Sequence, residues 1–300
     1  MILCCGEALI DMLPRESTGG EPAFAPFAGG AVFNTAIALG RLEVETAFFS
    51  GLSRDLFGEM LVDALEASKV DAARAVRSDR PTTLAFVTLT DGQARYAFYD
   101  ENTAGRMLTP DDLPDVADID ALFFGGISLV VDPCGAAYEA LMLREAGKRV
   151  TMIDPNIRPG FITDERAYRA RIERMLAAAD IVKISDEDMA WLGTDADAIL
   201  TAGASLVCVT EGAKGVVAHW RGGSVRAEAQ RVQVVDTVGA GDTFNAGLLA
   251  GLSRHGLLDR AALQTLDAAK VKPALALGNA AAAVTVSRAG ANPPWQDELA

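Results

Sequence analysis

Histidine is nearly absent: His219 and His255 are the two in 300 residues, joined by four cysteines, Cys4, Cys5, Cys134 and Cys208. No CxxC pair or Cys/His cluster forms from them, which removes the usual zinc spacings and leaves a Ser/His/Asp triad little to draw on. Basic residues are also short, with 27 Lys plus Arg against 41 Asp plus Glu, a formal net charge of −14. Such a surface repels polyphosphate, so nucleic acid is not expected as a partner. No segment offers about 18 uninterrupted apolar residues, and the start MILCCGEALIDMLP has no basic leader ahead of a long apolar run. Membrane spanning and secretion are therefore not expected, and a cytoplasmic location is. Repeats of fixed period, low-complexity tracts and Ser/Pro-rich linkers are missing too, so residues 1–300 are expected to form a single domain.

What is present is a half-hydrophobic chain with enough apolar material for a sizeable core. Short apolar runs recur at Ile2 to Ile10, Thr46 to Ser50, Ala121 to Phe124, Val150 to Ile153, Ile181 to Ile184 and Leu206 to Thr210. Helical stretches separate most of them: Ala31 to Leu42, Phe57 to Ser68, Ala136 to Glu145 and Ala167 to Ala178. This alternation predicts an α/β protein with a mainly parallel sheet covered by helices. PTTLAFVTLTDGQARYAFY breaks the pattern, because Asp91-Gly92 signals a hairpin between two strands. Residues 81–99, together with the Pro/Gly-containing 13–26, are expected to form a small antiparallel flap, unless the hairpin is a plain surface feature.

The stretch VDTVGAGDTFNAG fits neither common phosphate loop. A GxGxxG fingerprint from Gly239 would need glycine where Phe244 stands, and GxxxxGK[ST] occurs nowhere. What remains is Gly239-Ala240-Gly241 opening a helix, where glycines let backbone N–H groups approach a ligand and the helix dipole favours an anion. Asp242 lies in that first turn. There a carboxylate can orient a hydroxyl nucleophile and accept its proton while the N–H groups stabilise a transferred phosphoryl group. The plainer role is to complement the helix dipole, worth ~0.3–1 kcal/mol.

DTVGAGDTFNAGLLAG resembles the C-terminal signature of the ribokinase-like, phosphofructokinase-B-type carbohydrate kinases, and FAGGAVFNTAIALGRL resembles their N-terminal signature. The likeness runs from GEALIDMLP at Gly6 to RAGANPP at Pro294. It implies a three-layer α/β/α sandwich with a small β lid, acting as an ATP-dependent kinase on a sugar hydroxyl. By that resemblance Asp242 matches the catalytic base, Gly239, Ala240 and Gly241 the anion hole, and Asp11, Gly30 and Asn34 sugar-contacting positions. Gly29 adjoins them, and Phe98 joins them from the lid, whose aromatic surface suits closure over sugar or a homodimer through the lid. On residue type alone, Asp11 has the makings of a loop former and Asn34 of a helix cap.

In DPNIRP, Arg158 follows a strand at the end where open α/β sheets bind ligands, although a surface ion pair is its ordinary role. The family's Asn-x-x-Glu motif aligns with Ser185 and Asp188 in VKISDEDMAWLG, which leaves open whether Glu187 or Asp188 helps organise Mg²⁺ through water. Lys183 precedes them on the nucleotide side. VTEGAKG resembles the nucleotide loop through Thr210, Gly212 and Gly215, and Asn279 matches a position near adenine. Expected cofactors are ATP and Mg²⁺, and DTVGAGD sits where relatives bind a monovalent cation such as K⁺. Similar DPNxR segments occur in kinases of fructose and of 2-keto-3-deoxygluconate. The expectation is a fructokinase, with the acid-sugar kinase as alternative, Arg95 and Arg106 as its candidate second cations, and ribose or a nucleoside further off. A catalytically silent sugar-sensing regulator is the alternative outside enzymes.

Overall fold

The structure, a computed structural model, describes residues 1–90 and 93–299, without the side chains of 88–96. The Asp91-Gly92 turn and the side chains of Arg95 and Tyr96 lie outside the described residues. The first half of the chain runs β1 (Ile2–Cys5), β2 (Leu9–Glu16), β3 (Pro22–Gly29), α1 (Ala31–Arg41), β4 (Thr46–Phe49), β5 (Gly51–Ser53), α2 (Leu56–Ala67), β6 (Val70–Asp71), β7 (Val76–Ser78), β8 (Leu84–Thr90) and β9 (Gln93–Tyr99). It continues through β10 (Ala121–Gly125), α3 (Cys134–Glu145), β11 (Val150–Asp154), α4 (Glu165–Ala178), β12 (Ile181–Ser185), α5 (Asp186–Leu192), α6 (Ala196–Ala202) and β13 (Leu206–Thr210). The last part holds β14 (Val216–Trp220), β15 (Gly223–Ala227), α7 (Ala240–Arg254), α8 (Arg260–Leu263) and α9 (Ala268–Val286).

Nine strands form the main sheet in the order β15-β14-β13-β12-β11-β10-β1-β4-β6, parallel except for β14 and β15 at one edge. Its central strands β1, β4, β10 and β11 are buried on both faces, as in a sheet with helices on either side. Ile2 and Cys4 join Phe48, Phe123 and Met152 under α1, α7 and α9, while Leu3 and Cys5 join Phe49, Phe124 and Ile153 against α3 and α4. Each fully buried large apolar side chain, Phe123 for example, contributes about 1.5–3 kcal/mol. α7 lies almost in backbone contact with α9. A Cβ on Gly247 would stand 2.6 Å from Gly278 Cα, and one on Gly251 would stand 2.4 Å from Ala274 Cα. These glycines fix where the start of α7 meets the sheet.

Two sequence expectations need correction. Ile2 to Ile10 is not one run in a single sheet: the chain leaves the main sheet after Cys5, passes Gly6-Glu7-Ala8, and enters a second sheet as β2. Asp11 therefore lies within a lid strand. That lid is four-stranded, β3-β2-β8-β9, and it is mixed, because β2 pairs in parallel with β8 while its hairpins are antiparallel. The strand order of the main sheet reverses between β1 and β10, and the crevice beyond the carboxyl ends of those strands is where open α/β sheets bind ligands.

Candidate active site

α7 begins at Gly239, whose φ of 76° is left-handed and has no side chain capping it. A Cβ there would come 2.7 Å from Ala291 Cβ, so glycine is demanded by both conformation and space. Asp236 braces the approach to the turn by accepting from Val238 N–H at 3.0 Å and Gly290 N–H at 2.9 Å. Ala240 turns its N–H back to the Thr237 carbonyl over a long 3.3 Å. Asp242 follows, 8% exposed, with its carboxylate accepting from Asn34 Nδ2 at 2.9 Å and its carbonyl from Thr35 Oγ1 at 3.2 Å. Burial pushes the Asp242 carboxyl up to about 7; the Asn34 hydrogen bond and the Lys183 charge oppose this, while Asp154 and Glu7 add to it. A carboxyl poised there has the chemistry to accept a proton near neutral pH.

Beneath this turn lies a buried polar cluster of which the sequence reading singled out Lys183 alone and missed Asp154 and Asn245. Asp154, at the end of β11, accepts through Oδ2 from Lys183 Nζ at 2.9 Å and from Asn245 Nδ2 at 2.7 Å. The three residues are 2%, 5% and 1% exposed in that order. Lys183 thus sits inside the protein, its ammonium 3.2 Å from where a Gly241 Cβ would be. A lysine in the apolar strand IVKIS was the available signal, since a buried charge requires a partner.

Among the residues expected on the sugar side, Gly29 leaves room for the Asp11 carboxylate, which a Cβ there would meet at 2.3 Å. Asp11, Ala85 and Phe98 are cross-strand partners and so share one face of the lid, together with Phe27 at the row's end. That face packs on the base of the crevice through Leu9, Ala85 and Ile127, and the Phe98 ring meets Phe161 at 4.8 Å. Burial raises the Asp11 carboxyl to about 6. Gly30, at φ 111°, opens α1, and its carbonyl accepts from Asn34 N–H at 2.8 Å. Glu7, also missed, accepts from Ala31 N–H at 2.9 Å and Ser128 N–H at 3.3 Å, which ties the lid's root to α1. Arg158 is exposed in the loop before Phe161 and donates to the Ile157 carbonyl. Arg106 is paired with Asp100 at 3.1 Å.

Of the residues expected on the nucleotide side, Ser185 and Thr210 end β12 and β13, while Lys183 is buried. Ser185 caps α5 by accepting from Asp188 N–H at 3.0 Å. Glu187 points to solvent, whereas Asp188 is half-buried and its carboxyl is pushed up by burial and by Asp154. Thr210 ends β13, and its hydroxyl reaches toward the Ile184 carbonyl at 3.5 Å. Gly212 and Gly215 both have positive φ, and a Cβ on Gly215 would strike the Ala227 carbonyl at 2.2 Å. Asn279 donates to the carbonyls of Ala227 and Glu228 at 3.2 and 2.9 Å, so it pins that segment beside the loop. Among the described residues no group of three or more His, Cys, Asp or Glu is arranged to hold a metal, and no helix is long and apolar enough to cross a membrane.

The main sheet, its two helical layers and the separate lid define a ribokinase-like kinase fold. A fructokinase from Xylella fastidiosa with bound ATP superposes at a TM-score of 0.91 and 31% identity, covering 99% of this chain and 96% of that one. A fructokinase from Vibrio cholerae O395, in its fructose, ADP and calcium ion bound form, gives 0.82 and 26%, covering 97% and 94%. In sequence, a fructokinase of Rhizobium leguminosarum bv. trifolii is 57% identical over 274 residues, which is 89% of this chain and 84% of that protein. The pfkB family carbohydrate kinase pattern matches residues 1–298, and the chain belongs to that family as an ATP-dependent sugar kinase.

Proposed function

We propose that the chain is a fructokinase that transfers the γ-phosphoryl group of ATP to a hydroxyl of fructose, with Asp242 as the base. The observation that carries this reading is the buried Asp242 carboxyl, held near neutral pKa, aimed by Asn34 and placed in the first turn of an uncapped helix. The base accepts the hydroxyl proton as the oxygen attacks, and the N–H groups of the Gly239–Gly241 turn stabilise the charge gathering on the moving phosphoryl group. Asp11 and Asn34 supply hydrogen-bonding groups for a polyol, Gly29 and Gly30 admit it closely, and Phe98 closes one side. Thr210, Gly212 and Gly215 form the nucleotide loop, with Asn279 supporting its far wall. Arg158 is the loop cation offered to the phosphoryl end.

Asp188 suits magnesium better than Glu187, because a half-buried carboxylate next to Asp154 gains from a nearby cation while an exposed one gains little. Magnesium fits a site where phosphates and water complete the oxygen shell, and it would neutralise charge on the phosphates. The choice of fructose draws on the 57% identity to a fructokinase and on charge. Arg106, a candidate partner for a sugar acid, is already neutralised by Asp100. A homodimer through the lid belongs to the same reading. The outer lid face carries Phe24, 43% exposed, and Tyr99, 61% exposed, packed on either side of Phe86. The deciding assay compares kcat/KM for fructose, ribose and 2-keto-3-deoxygluconate at fixed MgATP. Fructose is expected to rank first, and a preference for the acid sugar would overturn the assignment while leaving the kinase fold in place.

A further inference from the structure

We propose that Asp154 and Asn245 are positioning residues for the transfer step: through one shared carboxylate oxygen they hold the Lys183 ammonium beneath the Gly239–Gly241 turn and fasten the first turn of α7 to the sheet. The inference rests on the reading of Asp242 as the base. Three observations point the same way. Asn245 stands three residues after Asp242, nearly one helical turn, so its bond to Asp154 fixes the base-bearing turn from below while Asn34 and Thr35 fix it from α1. Lys183 spends an ammonium bond on Asp154 and lies against Gly241, so its charge is aimed at the place where a transferred phosphoryl group would gather negative charge. Finally, Asp154 Oδ1 and Asn245 Oδ1 are buried without a hydrogen-bond partner. A buried ion pair is a poor source of stability, and one kept with two unsatisfied acceptors indicates a cluster held for its geometry.

The charged groups facing Asp242 are Asp154 and Lys183 from the sheet and Glu7 from the root of the lid, with neutral Asn34 from α1. Asp154 pushes the Asp242 carboxyl up and Lys183 pulls it down. Because the Asp154 charge raises the Asp242 carboxyl, removing that charge is expected to lower it.

The test compares Asp154→Asn and Asn245→Ala with the wild-type enzyme. Both are expected to lower kcat by about tenfold or more while the KM for fructose moves less than about twofold, because both side chains are buried beneath the turn. In Asp154→Asn the acid limb of kcat should also move to lower pH, whereas in Asn245→Ala, which changes no charge, it should stay in place. A carboxyl-carbon NMR titration of aspartate-labelled protein, with the Asp242 signal assigned from Asp242→Asn, reads the same shift without any substrate. Values of kcat within twofold of wild type in both variants, or an unmoved Asp242 titration in folded Asp154→Asn, would overturn the proposal. Should Asp154→Asn not fold, the split between kcat and KM in Asn245→Ala decides. Absence of sugar phosphorylation by the wild type would remove the kinase reading, and the titration would still decide whether Asp154 acts on Asp242.

Discussion

The bond from Asn34 Nδ2 to the Asp242 carboxylate, 2.9 Å long, opposes the burial that raises this carboxyl to about 7. Hydrogen bonds to charged groups contribute about 1.5–3 kcal/mol, and one pKa unit corresponds to about 1.4 kcal/mol, so Asn34→Ala should raise Asp242 by about one to two units. Water entering the space left by the shorter side chain places the effect toward the lower end. At pH 7 the ionised fraction falls from about one half to between about one tenth and one hundredth, a loss of roughly 5- to 50-fold in kcat/KM from the proton alone. The loss should be largely recovered near pH 9, which separates it from a lost sugar contact, since that would weaken the enzyme equally at every pH. Initial rates of ADP release across about pH 6 to 10 measure both parts, and kcat/KM reports the free enzyme. A wild-type profile with no acid limb near 7, or a variant whose deficit is constant with pH, would refute the reasoning.

Asp242→Asn should lose at least ~10²-fold in turnover through removal of the base. It should also be more stable than wild type above neutral pH. With a folded pKa of about 7 against 3.8, the wild-type carboxyl keeps its proton in the folded state over a window where the unfolded chain has released it, so wild-type stability falls as pH rises from about 4 to 7. The advantage of the variant should grow across that window to as much as about 4 kcal/mol. Urea unfolding at several pH values checks this, and an advantage that does not grow with pH would show that the carboxyl carries no burial cost. For the lid, Phe24→Ser with Tyr99→Ser should shift the mass measured by light scattering from dimer to monomer. A monomeric wild type would remove the proposed dimer.

The alternation of short apolar runs with helices made the layered sheet legible, because each run and each helix carries its own periodicity. The break at Gly6 was not legible. ILCCGEALI reads as one apolar run, and the chain turns there because the backbone passes against α1, where a Cβ on Gly6 would meet Val32 Cγ2 at 2.4 Å. The edge strands β14 and β15 escaped as well, since β14 is a short alternation of buried and half-buried residues after a glycine loop and β15 buries none of its residues fully. At the site, Asp242, Asn34 and the glycines stood inside long signatures. Asp154 and Asn245 gain their meaning only from folding, which brings positions 91 residues apart onto one oxygen. Nothing within a few residues of either records that encounter.

The weaving of the lid bears on how sugar preference changes over time. Leu9–Gly29 and Leu84–Tyr99 come from distant parts of the chain and are stitched by the parallel rows Ile10–Leu84, Asp11–Ala85 and Met12–Phe86. Such a lid cannot be exchanged as a cassette, because replacing either stretch alone leaves three rows facing foreign partners, and a one-residue slip turns every side chain to the wrong face. On the proposed reading of the lid, new substrates are reached by single replacements along one row, above all Phe27, Asp11, Ala85 and Phe98, with the scaffold unchanged. Recombination between distant relatives should seldom yield a working hybrid when its crossover falls between β3 and β8.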